Sequence, residues 1–141
     1  MARLQMMNAD DGIRFSKITR GVVQTHTISD GDLDWMLMLL KKPPSSTSNN
    51  SMDQLRSSEL KMIDLGTLRL VKETSPQQQA KVFVALMPLL YGDDAINKGE
   101  ADMTLAAFKV TQAIPYIQPQ LKDPNGGIRR DAKAALAAFA S

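Results

Sequence analysis

The stretch from Ser29 to Pro44 constrains the fold more than any other part of the chain. Trp35-Met36-Leu37-Met38-Leu39-Leu40 is apolar nearly all round a helix, so it needs cover on most sides. Its flanks specify a helix. Ser29 is a good N-cap, and Asp32 stands three residues on, in a capping-box pattern with Asp in place of Glu. Asp30, Asp32 and Asp34 crowd the positive end of the helix dipole, and Lys41 and Lys42 occupy the negative end. Pro43-Pro44 forbids continuation. Such a helix belongs at the centre of a bundle or against a partner. Trp35, Leu37 and Leu40 are therefore candidate protein-interface residues.

The same grammar recurs downstream. Ser51 followed by Gln54 predicts a helix from Met52 to about Leu65, with Leu55, Met62 and Ile63 inward and Gly66 as punctuation. Ser75-Pro76-Gln77-Gln78 is a full helix start: an N-cap serine, proline in the first turn and glutamine at N3. That helix runs to Tyr91, with Ala80, Phe83, Met87 and Leu90 as its stripe, a kink at Pro88 and Gly92 as the C′ residue. Met103, Ala107, Val110 and Ile114 predict a further helix over 100–114. Pro115 and Pro119 interrupt the next stretch, and Asp123-Pro124-Asn125-Gly126-Gly127 is a turn tolerant of positive φ. The last helix, 128–140, places Ile128, Ala132, Leu136 and Phe139 on one face, and Leu136 and Phe139 join the interface candidates.

Residues 10–28 read two ways. Ile13, Phe15, Ile18 and Val22 approximate a helical stripe, whereas Val22-Val23-Gln24-Thr25-His26-Thr27-Ile28 is β-branched. The expectation is a helix to Arg20 and an extended piece after Gly21. The whole is an all-α class with minor β at most: a helical bundle or short helical-repeat-like domain of five to six helices. It forms a single domain over 1–141, with a flexible loop at 43–50 where Pro, Ser, Thr and Asn offer nothing to bury.

Composition narrows the function. With 141 residues and a hydrophobic fraction of 43%, the chain can bury a real core. It has no cysteine, which excludes disulfides, thiolate metal sites and a cysteine nucleophile. No apolar run approaches the roughly 20 residues of a membrane span, and no signal-peptide pattern opens the sequence. The expectation is a soluble, intracellular protein, cytoplasmic or nuclear.

Sites for chemistry are scarce. Tyr91-Gly92-Asp93-Asp94 is similar to the Tyr-Gly-Asp-Asp turn of RNA-dependent RNA polymerases, whose aspartates bind Mg²⁺ between two strands. Here a capped helix precedes it, so the motif reads as a helix end followed by Asp94 as the next N-cap. Asp30-Gly31-Asp32-Leu33-Asp34 begins like a calcium loop, but Trp35 and Lys41 stand where the loop requires glycine and glutamate. His26 is the only histidine and has no identifiable acid partner or nucleophile. The sequence thus predicts no catalytic residue, no metal and no cofactor.

Basic residues give the second functional lead. Arg14, Lys17 and Arg20 recur every three residues on one helical face, and Lys122, Arg129, Arg130 and Lys133 form another cluster. If the fold joined them they could grip a phosphate backbone, as in a small viral-type nucleocapsid or matrix subunit. The net charge is only +2, and seven aromatics leave few stacking platforms for single strands. The leading expectation is a non-enzymatic helical interaction module that self-associates or binds a protein partner. Nucleic-acid binding is the alternative.

Ile114-Pro115-Tyr116-Ile117 to Leu121-Lys122-Asp123-Pro124-Asn125, followed by Ile128-Arg129-Arg130-Asp131-Ala132-Lys133-Ala134-Ala135-Leu136, resembles one HEAT- or armadillo-type repeat. The features are a proline-bearing first helix, an Asp-Pro turn and a second helix with an early Arg and an Ala-x-x-Ala-Leu core. The resemblance implies an interaction scaffold. No second copy at a fixed period is evident upstream.

Overall fold

A computed structural model describes residues 9–40, 64–92 and 94–141. The described chain is all-α. Its helices are α1 (Ala9–Thr25), α2 (Asp30–Leu39), α3 (Pro76–Leu90), α4 (Ala95–Ala107), the single turn α5 (Ile114–Ile117) and α6 (Gly126–Ala140). Residues 64–68 are also helical, and short 3₁₀ segments, Thr111–Ala113 and Gln118–Lys122, flank α5. The loop expected at 43–50 and the helix expected from Met52 lie outside the described residues, except for the end of that helix. Among the described residues, no helix is long and apolar enough to cross a membrane.

The starts of α2 and α3 follow the sequence. Ser29 caps α2 by accepting a hydrogen bond from the Asp32 amide at 3.2 Å. Ser75 caps α3 with a complete capping box: its Oγ accepts from the Gln78 amide, and the Gln78 side chain accepts from the Ser75 amide, each at 3.1 Å. Gln78 does more than the motif predicts. Its Nε2 also donates to the Ile28 carbonyl at 2.7 Å and to Asp30 Oδ1 at 3.2 Å, tying the start of α3 to the start of α2.

The ends depart from the sequence reading. The extended piece expected after Gly21 is helical as far as Thr25, because Val22 continues the buried stripe of Phe15 and Ile18. β-branched residues favour a strand only where a pleated surface exists to receive them. Ile13, assigned to the same stripe, is exposed. His26 ends α1 in the left-handed region at φ 58°. Gly66 does not stop its helix, which runs on to residue 68. Gly92 and the Gly126-Gly127 pair have no positive φ; α6 instead starts two residues earlier than expected, capped by the Asn125 side chain.

The helix expected over 100–114 is α4, which starts at Ala95 and stops at Ala107. Its end is a Schellman motif: Val110 N–H donates to the Leu105 carbonyl at 2.9 Å, and Lys109 N–H to the Ala106 carbonyl at 3.0 Å. The left-handed position, usually glycine, is Lys109 at φ 58°. The inward stripes also shift. In α3 it is Gln78, Val82, Leu86 and Leu90, while Ala80 is exposed and Phe83 and Met87 are half-buried. In α4 Ala101, Asp102 and Leu105 are buried, and Met103 is half-buried. The buried faces of both helices include polar residues, Gln78 in α3 and Asn97, Asp102 and Thr104 in α4, which a stripe read from apolar residues alone passes over.

Leu33, Met36, Leu39, Leu65, Leu68, Leu86, Leu105, Phe108 and Ile117 are fully buried and form the middle of one core. Polar ties cross it. Thr104 Oγ1 reaches the Leu65 carbonyl at 3.3 Å, Thr74 Oγ1 donates to the Phe108 carbonyl at 3.0 Å, and Arg69 pairs with Glu100 at 2.7 Å. The His26 carbonyl accepts from the Lys72 and Glu73 amides at 2.8 and 3.3 Å, fastening the α1–α2 corner to the chain that leads into α3.

Candidate interaction site

The all-round apolar helix finds most of its cover inside its own chain. Trp35, Leu37 and Leu40 are buried and belong to the core. Leu136 and Phe139 are half-buried and pack against that core from α6. Of the residues proposed for an interface, none is exposed; their apolar surface is used largely within the fold.

What α2 leaves uncovered is Met38, which is 50% exposed. It lies beside α3, whose Val84 is 71% exposed. Between them runs an open groove of about 510 Å³, lined by Asp34, Leu37, Met38, Ala80, Lys81, Val84 and Ala85. Leu37 closes its inner side, and an Asp34–Lys81 ion pair at 3.0 Å stands among the lining residues. Both ends of this pair are solvent-exposed, so it orients charge more than it stabilises the fold. Met38 and Val84 escaped the sequence reading because each sits in a run where every neighbour is apolar. Only packing reveals which member of the run stays outside.

The basic clusters stand on different elements, the first on α1 and the second on 118–122 and α6. Arg14 lies over the Trp35 ring, 4.9 Å from its centroid, and 3.9 Å from Asp32. Lys17 and Arg20 are exposed on the same helix. At the other end of the chain, Arg129 donates to the Asp123 and Pro124 carbonyls at 2.6 and 3.0 Å, and Arg130 Nε lies 3.4 Å from Asp131. Lys122 and Lys133 are exposed. Arg14, Arg129 and Arg130 thus each have a contact within the chain.

A third surface feature is aromatic. Tyr116 stands between Phe83 and Tyr91, with ring centroids 6.1 and 6.5 Å away, the second pair nearly perpendicular. Tyr91 is largely exposed and Tyr116 partly so. These residues are far apart in sequence, so spacing could not show that they meet.

The described residues that the sequence singled out for chemistry make contacts within the chain. The Asp94 carboxylate caps α4, accepting from the Ile96 and Asn97 amides at 3.1 Å each; Asp93 lies outside the described residues. His26 Nδ1 lies 3.2 Å from the Leu70 carbonyl. Asp30 and Asp32 occupy the first turn of α2, as the dipole argument requires. Among the described residues, no group of three or more histidine or carboxylate side chains is arranged to hold a metal ion.

Fold and surface together define, among the described residues, an all-α protein with an apolar groove between α2 and α3. The chain matches no protein-family model, no curated protein and no solved structure.

Proposed function

We propose that this chain is a non-enzymatic helical interaction module that self-associates through the α2–α3 groove. The observation that carries the reading is the pairing of two exposed aliphatic side chains, Met38 and Val84, across a groove lined by one acid and one base. Large exposed apolar residues gathered at one place mark contact surfaces more often than scattered ones do. The occupant favoured by the charge pattern is a second copy. In a two-fold interface each groove meets its own likeness, an arrangement in which Lys81 of one copy can exchange partners with Asp34 of the other while the apolar residues meet between them. The resemblance of residues 114–136 to one HEAT- or armadillo-type repeat is in keeping with a scaffold role.

The test is size-exclusion chromatography with light scattering on protein purified without nuclease. Wild type is expected to run as a dimer or larger assembly. Val84→Asp and Met38→Asp, both at exposed positions, are expected to give monomers with unchanged far-UV circular dichroism. A monomeric wild type, or folded variants that assemble as before, overturns the groove. Absorbance at 260 nm that copurifies with the protein, and is lost with salt, would favour nucleic-acid binding instead.

A further inference from the structure

The contact between α4 and α6 is the most extensive helix–helix packing among the described residues, and it encloses a polar cluster. Asp102 on α4 is fully buried. Its Oδ1 accepts from Gln120 Nε2 at 3.1 Å, while among the described residues its Oδ2 and Gln120 Oε1 have no hydrogen-bond partner. From α6, Asp131 brings a second carboxylate against Gly99, one helical turn before Asp102; its side chain is 31% exposed. Three elements, α4, 118–122 and α6, therefore meet around a buried carboxyl with a like charge nearby and one oxygen unsatisfied.

A buried ionised carboxylate in such a place is costly, and the protonated form is the one this packing accommodates. We propose that docking of α6 onto α4 is proton-linked: α6 is held while Asp102 is protonated and loosens when Asp102 ionises.

The charged groups acting on Asp102 are few. Burial pushes its carboxyl up to about 7; the Gln120 hydrogen bond lowers it, Asp131 raises it and Lys98 of its own helix lowers it. Segment 118–122 contributes the uncharged Gln120 nearest to it, with Lys122 exposed. On α6, Arg130 is engaged with Asp131. Glu100 lies roughly opposite Asp102 around α4 and pairs with Arg69. Lys81 of α3 pairs with Asp34 instead. The raised value sets the sign. The folded state holds a proton that the unfolded chain releases near 3.8, so the stabilisation is complete below that pH and is lost as pH rises through about 7.

Hydrogen–deuterium exchange of the full chain between pH 5 and 8.5, corrected for intrinsic exchange, reads this directly. In peptides covering 126–140 the opening constant should rise about tenfold per pH unit up to pH 7 and level off above it. Peptides covering α1 should stay protected. Asp102→Asn should flatten the dependence. Asp131→Asn retains the titrating group but removes its like-charged neighbour, so it should move the transition to lower pH even if the first variant folds poorly. An α6 opening constant that ignores pH, or a dependence unchanged in Asp102→Asn, overturns the proposal. So does α1 opening in step with α6, which would mean global unfolding.

Discussion

Gly99 and Asp131 are matched across the α4–α6 contact. The Asp131 carboxylate occupies the space a side chain at residue 99 would need: a Cβ built there overlaps Oδ2 and lies 2.8 Å from Cγ and 3.1 Å from Asp131 Cβ. Glycine inside a helix costs about 1 kcal/mol relative to alanine, so its presence in α4 calls for a reason. Close approach of α6 supplies one.

Gly99→Ala should therefore destabilise the protein by about 1–3 kcal/mol despite its better helix propensity, because the clash falls on a packed helix. The double variant with Asp131→Ala should recover most of the loss, since little more than the Asp131 Cβ then faces residue 99. Urea unfolding of the four-membered cycle checks this. Equal losses with and without Asp131 would show that the pair is uncoupled.

Lys109 offers the opposite case. It is exposed, holds the left-handed position of the α4 Schellman motif at φ 58° and makes that turn without glycine. The left-handed conformation costs an L-residue roughly 1–2 kcal/mol. Lys109→Gly should raise stability by about 0.5–1 kcal/mol, and Lys109→Val should lower it by more. Thermal melts of the two variants should move in opposite directions; movement in the same direction would show that the backbone conformation is not what limits this position.

Asp64 is fully buried, and among the described residues neither of its carboxylate oxygens has a hydrogen-bond partner. Burial holds its carboxyl well above the usual carboxylate range. The folded state therefore keeps a proton that the unfolded chain loses, and stability declines as pH rises through the folded-state value. Asp64→Asn removes the ionisation while leaving a polar group buried. It should stabilise the protein by about 1–3 kcal/mol at pH 8 and change little at pH 4, measured by denaturant unfolding at both values. An equal change at the two pH values would show that charge plays no part at this site.

The amino-acid sequence determined the helical class and three of the helix caps. Ser29, Ser75 and Asp94 each cap a helix through a contact of a few residues, so the residues themselves carry the information. Helix ends were less legible. Beyond the ends of α4 and α1, Lys109 and His26 hold left-handed positions that glycine normally advertises. What only the tertiary structure decided is which apolar residues remain outside. Trp35, Leu37 and Leu40 are as apolar as Met38 but lie beneath neighbouring elements, while Met38 and Val84 border a groove. The meetings of Asp102 with Gln120 and of Gly99 with Asp131 are likewise tertiary. Local hydrogen bonds and dihedral preferences are written along the chain. Burial depends on the surface that distant segments present, and in a sequence with several apolar faces per helix that surface exists only once the helices have packed.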